Sequence, residues 1–201
     1  RTGVVGPNVQ RVGTLLINAQ ARASYERGHT LLRAGPVGEV RHHDAGRGFD
    51  ERTYLRLRRQ GFEMLAPVLR RVVRTAGGES LELIGIDLFA MPRAEGAEPR
   101  GLPSGADAGL PGFADFAFPP YQLWAAPARL EQLGATEDER IELESGATLP
   151  PLAAVPGEQL GHRLLLDIGA LQSLTGSRGE LTSVLVFAAP ADRLDALRAA
   201  L

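Results

Sequence analysis

The residues best suited to metal chemistry are a short cluster, His42, His43 and Asp44. Adjacent side chains on a strand point to opposite faces, so His42 and His43 are poorly placed to share one ion. A zinc site needs ligands that converge, whereas His29 and His162 stand alone in the sequence. The cluster is therefore interpreted as the polar end of a strand, and no metal site is predicted.

A nucleophilic serine is the other candidate for chemistry. The sequence around Ser177, from Gly176 to Gly179, matches the Gly-x-Ser-x-Gly elbow of hydrolases only in part. That elbow follows a strand, whereas Ser177 follows a predicted helix and is expected in a helix-to-strand turn. We therefore expect that the protein is not an enzyme. An extracytoplasmic hydrolase that uses residues near Ser177 or His162 is the alternative left open.

Composition excludes several further classes of chemistry. The 201 residues contain no cysteine, which excludes zinc–thiolate sites, iron–sulfur clusters, thiol nucleophiles and disulfides. All 22 basic residues are arginine, which excludes a lysine Schiff base and a P-loop lysine. No glycine-rich phosphate loop precedes a predicted helix, so no cofactor is predicted. No apolar run reaches the roughly 18 residues of a membrane helix.

The arginines are concentrated in one part of the chain. Six of them lie between residues 56 and 74, namely Arg56, Arg58, Arg59, Arg70, Arg71 and Arg74. Aromatic residues are not interleaved with them, and the formal net charge of the chain is -2. This pattern favours a solvated face or an interdomain contact, and no nucleic-acid partner is predicted.

The order of helix and strand signals predicts an α/β (α+β) fold. Asp50 is a good N-cap for a helix over 51–60 with an apolar side formed by Tyr54, Leu55 and Leu57. Strands over 62–75 and 81–89 are predicted to form a hairpin around a Gly-Gly turn. The other predicted elements are helices over 15–32, 127–133, 168–175 and 190–201, and strands over 37–42, 122–125, 140–144, 147–155, 162–166 and 181–187, with 140–144 and 147–155 paired.

A Pro/Gly-rich excursion is predicted over residues 91–120, where six prolines interrupt any regular element. Its aromatic residues suggest that the second half packs against the rest of the protein. They either cover the edge of the core or contact a partner or an acyl chain. The candidate partner-contact residues are Phe113, Phe116, Phe118, Tyr121 and Trp124.

Several segments, in this order, resemble one known architecture. They are INAQARASYERGHTLLRAG at 17–35, FDERTYLRLRRQG at 49–61, LAPVLRR and LELIGIDLF at 65–71 and 81–89, LWAAPARLEQLGATEDERIEL at 123–143, LLLDIGALQSLTG at 164–176 and LTSVLVFAAPADRLDALRAAL at 181–201. On these segments, residues 15–91 and 123–201 resemble the periplasmic core domain of FtsX/MacB-like ABC-transporter permeases.

The resemblance implies two small α/β subdomains. Both ends of the chain, residues 15–90 and 180–201, would form a membrane-proximal subdomain. Residues 91–179, with the excursion at 91–120, would form the subdomain inserted in the middle. Residues 1–14 stand where the family has a membrane helix, and they are interpreted as a lead-in that an engineered truncation would explain.

The resemblance also implies a mechanical function. Such a domain is the periplasmic (extracytoplasmic) part of an inner-membrane protein, flanked by membrane helices. It couples ATP hydrolysis by a cytoplasmic ATP-binding subunit to the movement or binding of an extracytoplasmic protein or lipid-like cargo. It performs no covalent chemistry and needs no cofactor. A free-standing extracytoplasmic partner-binding domain remains the other non-enzymatic alternative.

Overall fold

The computed structural model describes residues 36–42, 48–91, 113–155, 160–187 and 189–201. These residues contain nine strands and five helices. The strands are β1 (Gly38–Arg41), β2 (Phe49–Asp50), β3 (Leu65–Arg74), β4 (Ser80–Ile86), β5 (Leu123–Ala125), β6 (Leu152–Ala154), β7 (Leu164–Asp167), β8 (Glu180–Leu181) and β9 (Ser183–Val186). The helices are α1 (Glu51–Arg59), α2 (Phe113–Ala117), α3 (Pro127–Leu133), α4 (Ile168–Thr175) and α5 (Ala191–Ala200).

Seven strands form one mixed sheet in the order β1-β9-β3-β4-β7-β5-β6. The pairs β4–β7 and β5–β6 are parallel, and the other neighbours are antiparallel. Strands β2 and β8 form a separate antiparallel pair. The mixture of hairpins, parallel crossovers and helices confirms the predicted α+β class.

The two faces of the large sheet are covered unequally, because alternate residues of each strand point to opposite sides. On β3, Leu65 and Leu69 point to the face that packs against α1, α3, α4 and α5. On the same strand, Ala66 and Val68 point to the opposite face, which packs against α2 and the turn after β4. We call the first the helical face and the second the open face.

Local sequence signals place most of the helix ends. Asp50 adopts an extended backbone before α1, and its carboxylate accepts a hydrogen bond of 2.8 Å from the backbone N–H of Arg52. Asp167 does the same for α4, accepting from Ala170 at 3.0 Å. Gly134 and Gly176 end α3 and α4 at φ of 62° and 67°, a left-handed backbone that glycine adopts without strain.

The antiparallel pairing predicted between 140–144 and 147–155 is confirmed only as a single bridge, Glu142 to Thr148, while β6 pairs in parallel with β5. Two other local predictions were wrong in part. The strand expected over 181–187 is interrupted at Thr182. The hydroxyl oxygen of Thr182 accepts a hydrogen bond of 2.8 Å from the backbone N–H of Arg70. Leu55 is 42% exposed, because the buried side of α1 is set by Tyr54 and Leu57, three residues apart.

Some predictions lie outside the described residues. They are the lead-in at 1–14, the helix over 15–32 and the excursion up to residue 112. The division into 15–90 plus 180–201 and 91–179 stays a prediction. The large sheet contains strands from both ranges, since β4 of the first pairs with β7 of the second.

Candidate functional site: an exposed aromatic pair

Two of the five predicted contact residues lie inside the core. The rings of Phe116 on α2 and Trp124 on β5 are fully buried, with centroids 4.3 Å apart and planes tilted by 43°. They pack with Leu165 against the open face of the sheet. This is the core-covering role that the sequence left open for them.

Phe118 lies at the surface. Its ring is 50% exposed, and its backbone N–H donates to the carbonyl oxygen of Ala114 at 3.0 Å, at the end of α2. Beside it lies Phe89, 51% exposed, with the two ring centroids 5.9 Å apart and the planes inclined by 57°. This tilted arrangement is typical of attractive aromatic pairs. We call Phe89 and Phe118 the exposed aromatic pair.

Phe89 was not predicted as a contact residue, because it was expected to be the last residue of the strand over 81–89. In the structure β4 ends at Ile86, and Phe89 sits in the turn that follows. One carboxylate oxygen of Asp87 accepts hydrogen bonds from the backbone N–H groups of Phe89 at 2.9 Å and Ala90 at 3.3 Å. The signal was present in the sequence as an Asp two residues before Phe89, which is the pattern of an Asx turn.

The remaining predicted contact residues flank this surface. Phe113 begins α2, and a contact role for it stays a prediction. Tyr121 is partly buried and packs on the core of the helical face. Between Phe118 and Tyr121 lie the exposed Pro119 and Pro120, joined by a cis peptide bond. Phe118 and the two prolines therefore form a continuous exposed stretch after α2.

Two carboxylates lie at the ends of neighbouring parallel strands, and one of them belongs to the turn that contains Phe89. Asp87 follows β4, and Asp167 ends β7 opposite Ile86. Burial raises the pKa of Asp167, its hydrogen bonds to backbone N–H groups lower it, and the charge of Asp87 adds a smaller upward effect. Burial likewise raises the pKa of Tyr54 on α1. Both carboxylates serve as caps, of a turn and of α4, and this role explains their positions.

Ser177 has structural partners. Its side chain is buried and its oxygen accepts a hydrogen bond of 3.0 Å from Nε of Arg71, while the hydroxyl of Thr175 lies 2.9 Å away. The same arginine binds Glu180 at 2.6 Å, so the network ties β3 to the turn after α4. Neither partner of Ser177 is a general base.

The histidines do not form a site in the described residues. His162 is exposed, and its Nε2 lies 3.7 Å from a carboxylate oxygen of Glu82. His42 lies just after β1, while His43 and Asp44 are outside the described residues. Within the ranges that the structure describes, no three His, Asp or Glu side chains come together as a metal site would require.

Comparison with known proteins gives a likeness of fold only. No family model matches the sequence, and no curated protein matches it. The structure is similar to a crystal structure described as the extracellular domain of the noncanonic ABC-type transporter YknZ from Gram-positive bacteria. The identity is 12%, 77% of this chain and 79% of that chain are covered, and the TM-score is 0.47.

That structure is described as an extracellular domain of an ABC-type transporter, the general class that the sequence resemblance named. Among the described helices, none combines the length and the apolar character needed to cross a membrane.

Proposed function

We propose that this chain is an extracytoplasmic domain of an FtsX/MacB-like ABC-transporter permease, and that it contacts its partner or cargo through the exposed aromatic pair. The permease context is supported by the sequence segments over 15–91 and 123–201, which resemble the family and occur in the family's order. The contact role is carried by one observation, the placement of Phe89 and Phe118 side by side at the surface. In this role the domain binds and transmits movement and carries out no covalent chemistry.

The aromatic pair has the properties of a binding anchor. Each of the two residues is about half exposed, although burial of a phenylalanine side chain stabilises a protein by roughly 1.5–3 kcal/mol. Aromatic rings contribute strongly to interfaces because they bury a large area and lose little side-chain entropy. The turn around Phe89 is fixed by Asp87, so little ordering would be needed on binding.

The C-terminal helix is attached to the sheet in a way that suits transmission of movement. Leu197 of α5 is fully buried in the core of the helical face. The guanidinium of Arg193 lies 5.1 Å from the centre of the Phe62 ring and also bonds the carbonyl oxygen of Gly61. A force applied along α5 would therefore reach β3, which begins three residues after Phe62, through packed contacts.

Site-specific photocrosslinking tests the contact role. A benzophenone amino acid placed at position 118, or at position 89, in the native membrane protein is expected to crosslink an extracytoplasmic protein or lipid-like molecule. Position 55 is the matched control, since Leu55 is similarly exposed at 42% but lies on α1. Equal crosslinking from positions 118 and 55 would contradict a specific contact.

The permease context has its own test. The coding sequence around this chain is expected to encode apolar segments of about 20 residues before residue 15 and after residue 201. A neighbouring gene is expected to encode a subunit with a Walker A motif. Polar flanking sequence on both sides would overturn the permease proposal and leave a free-standing partner-binding domain, a result that is independent of the crosslinking outcome.

A further inference from the structure

A second cluster of side chains lies on the open face of the sheet, at the hairpin end of β3 and β4. By strand alternation, Arg70 of β3 points to the open face, whereas Arg71 points to the helical face and binds Ser177. Glu82 of β4 and Arg163, just before β7, lie on the open face as well. The β3 arginines of the concentration seen in the sequence are thus divided between the two faces of one sheet, while the others lie on α1.

Three groups that can carry positive charge surround one carboxylate. A terminal guanidinium nitrogen of Arg70 lies 3.9 Å from Glu82, and Nε of Arg163 lies 3.7 Å from it. The imidazole Nε2 of His162 is also 3.7 Å away. All three distances fall within ion-pair range but exceed the length of a hydrogen bond. Glu82 therefore attracts these groups without accepting a hydrogen bond from any of them.

The arginines retain unused donor capacity. The Nε–H groups of Arg70 and Arg163 are shielded from solvent, and no acceptor for them exists among the described residues. A shielded donor without an acceptor is costly, and such groups in proteins are normally satisfied by water or by an ion. Both side chains are only partly buried, so rotation of either guanidinium can present its Nε–Nη edge outward.

The charge balance favours an anion. Two arginines and one glutamate leave an excess of one positive charge. Next to Glu82 in the strand register stands Val72, an apolar side chain that is 71% exposed. Guanidinium groups match phosphate oxygens in pairs, and a neighbouring apolar surface suits a ligand whose phosphate carries an organic group.

We propose that Arg70, Arg163 and His162 form a binding site for a phosphate group, with Glu82 holding the arginines in place when the site is empty. The phosphate can belong to a free phosphate compound or to a phospholipid headgroup. The proposal concerns the open face and does not depend on the proposed permease function.

The test is a titration of the complete chain with inorganic phosphate and, separately, with short-chain phosphatidic acid, followed by NMR of the arginine Nε–H groups. Saturable shifts are expected for Arg70 and Arg163. The double variant Arg70→Gln, Arg163→Gln should weaken binding at least about tenfold, since two charge-assisted contacts are lost. Tighter binding of phosphatidic acid than of phosphate would identify the lipid headgroup as the source, and equal binding would identify phosphate alone.

Glu82→Gln gives the sharper outcome. It removes the competing negative charge and leaves the arginines intact, so phosphate affinity should rise several-fold. Arg198→Gln is the control, because Arg198 is similarly exposed and also bonds an acid, Asp195, at 2.5 Å, but lies on α5. Unchanged affinity in Glu82→Gln, or an equal loss in Arg198→Gln and the double variant, would overturn the proposal.

Discussion

Two aromatic pairs each include one phenylalanine from residues 116–118, yet their environments are opposite. Phe116 and Trp124 are in close contact inside the core, while Phe89 and Phe118 meet at the surface. Only one residue, Ala117, separates Phe116 from Phe118. The difference arises because Phe116 is inside the short helix α2, whose inner side faces the sheet, whereas Phe118 follows the end of that helix.

The comparison shows that residue type alone does not distinguish a core aromatic from a contact aromatic. All four rings stand in the same kind of surroundings in the sequence, among alanines, leucines and prolines. The exposed aromatic pair is formed by residues on two separate segments, and neither segment carries a signal for the other. Stability and binding measurements should therefore separate the two pairs cleanly.

The largest expected effect is on the buried pair. Phe116→Ala should lower the free energy of unfolding by about 3–5 kcal/mol, because it leaves a cavity beside Trp124. Urea denaturation followed by tryptophan fluorescence measures this, and Trp124, the single tryptophan of the chain, reports the change directly. A loss below about 1 kcal/mol would mean that Phe116 is not a core residue.

A smaller effect is expected from the turn that presents Phe89. Asp87→Ala should lower the free energy of unfolding by about 1 kcal/mol, because two backbone N–H groups lose their acceptor. The same variant should weaken crosslinking from position 118. Asp87→Asn retains an acceptor oxygen and serves as the control. If both variants behave alike, the charge of Asp87 and not its hydrogen bonds holds the turn.

Asp167 should give a pH-dependent effect. Burial raises the pKa of its carboxyl above the ordinary value, so between the unfolded and folded pKa values the folded state binds more protons. The free energy of unfolding therefore falls as pH rises through this window, and the penalty is complete at neutral pH. Asp167→Asn keeps an acceptor for the N–H of Ala170 and removes the charge.

The Asp167→Asn variant should thus be more stable than the natural protein at pH 7, and the difference should disappear below about pH 3, where the carboxyl is protonated in both states. Urea denaturation at both pH values measures it. A variant that is less stable at pH 7 would show that the charged carboxylate stabilises α4.

The smallest effect on stability is expected at the exposed pair. Phe118→Ser should lower the free energy of unfolding by less than about 1 kcal/mol, because only half of the residue is buried. If Phe118 is a binding anchor, the same variant should reduce crosslinking from position 89 strongly. A destabilisation comparable with that of Phe116→Ala would remove the distinction between the two pairs.

Much of the local structure could be predicted from the sequence. The caps at Asp50 and Asp167, the stop at Gly134 and the hairpin of β3 and β4 were all correct, because each depends on residues a few positions apart. The strand pairing of residues 140–155 was predicted only in part. The antiparallel contact between the two segments forms as a single bridge, whereas β5, which precedes both segments in the chain, pairs with β6.

The candidate site could be predicted only in part. Phe118 was named as a contact residue from the sequence, together with Phe116 and Trp124, which the fold buries. Phe89 was not named as a contact residue. Its exposure depends on where β4 ends, and its pairing depends on the position of the end of α2, which places Phe118 beside it. An aromatic residue in an apolar stretch is usually part of the core, and no local signal marks the exceptions.

The sequence by itself determined the class of fold, the helix ends and the absence of cysteine and lysine chemistry. These follow from backbone preferences, side-chain types and hydrogen bonds that act over a few residues. Only the tertiary structure decided the order of the seven strands, the division of the arginines between two faces, and which aromatic rings meet water. Those outcomes depend on how all the elements pack together, because exposure is set by neighbours that are distant along the chain.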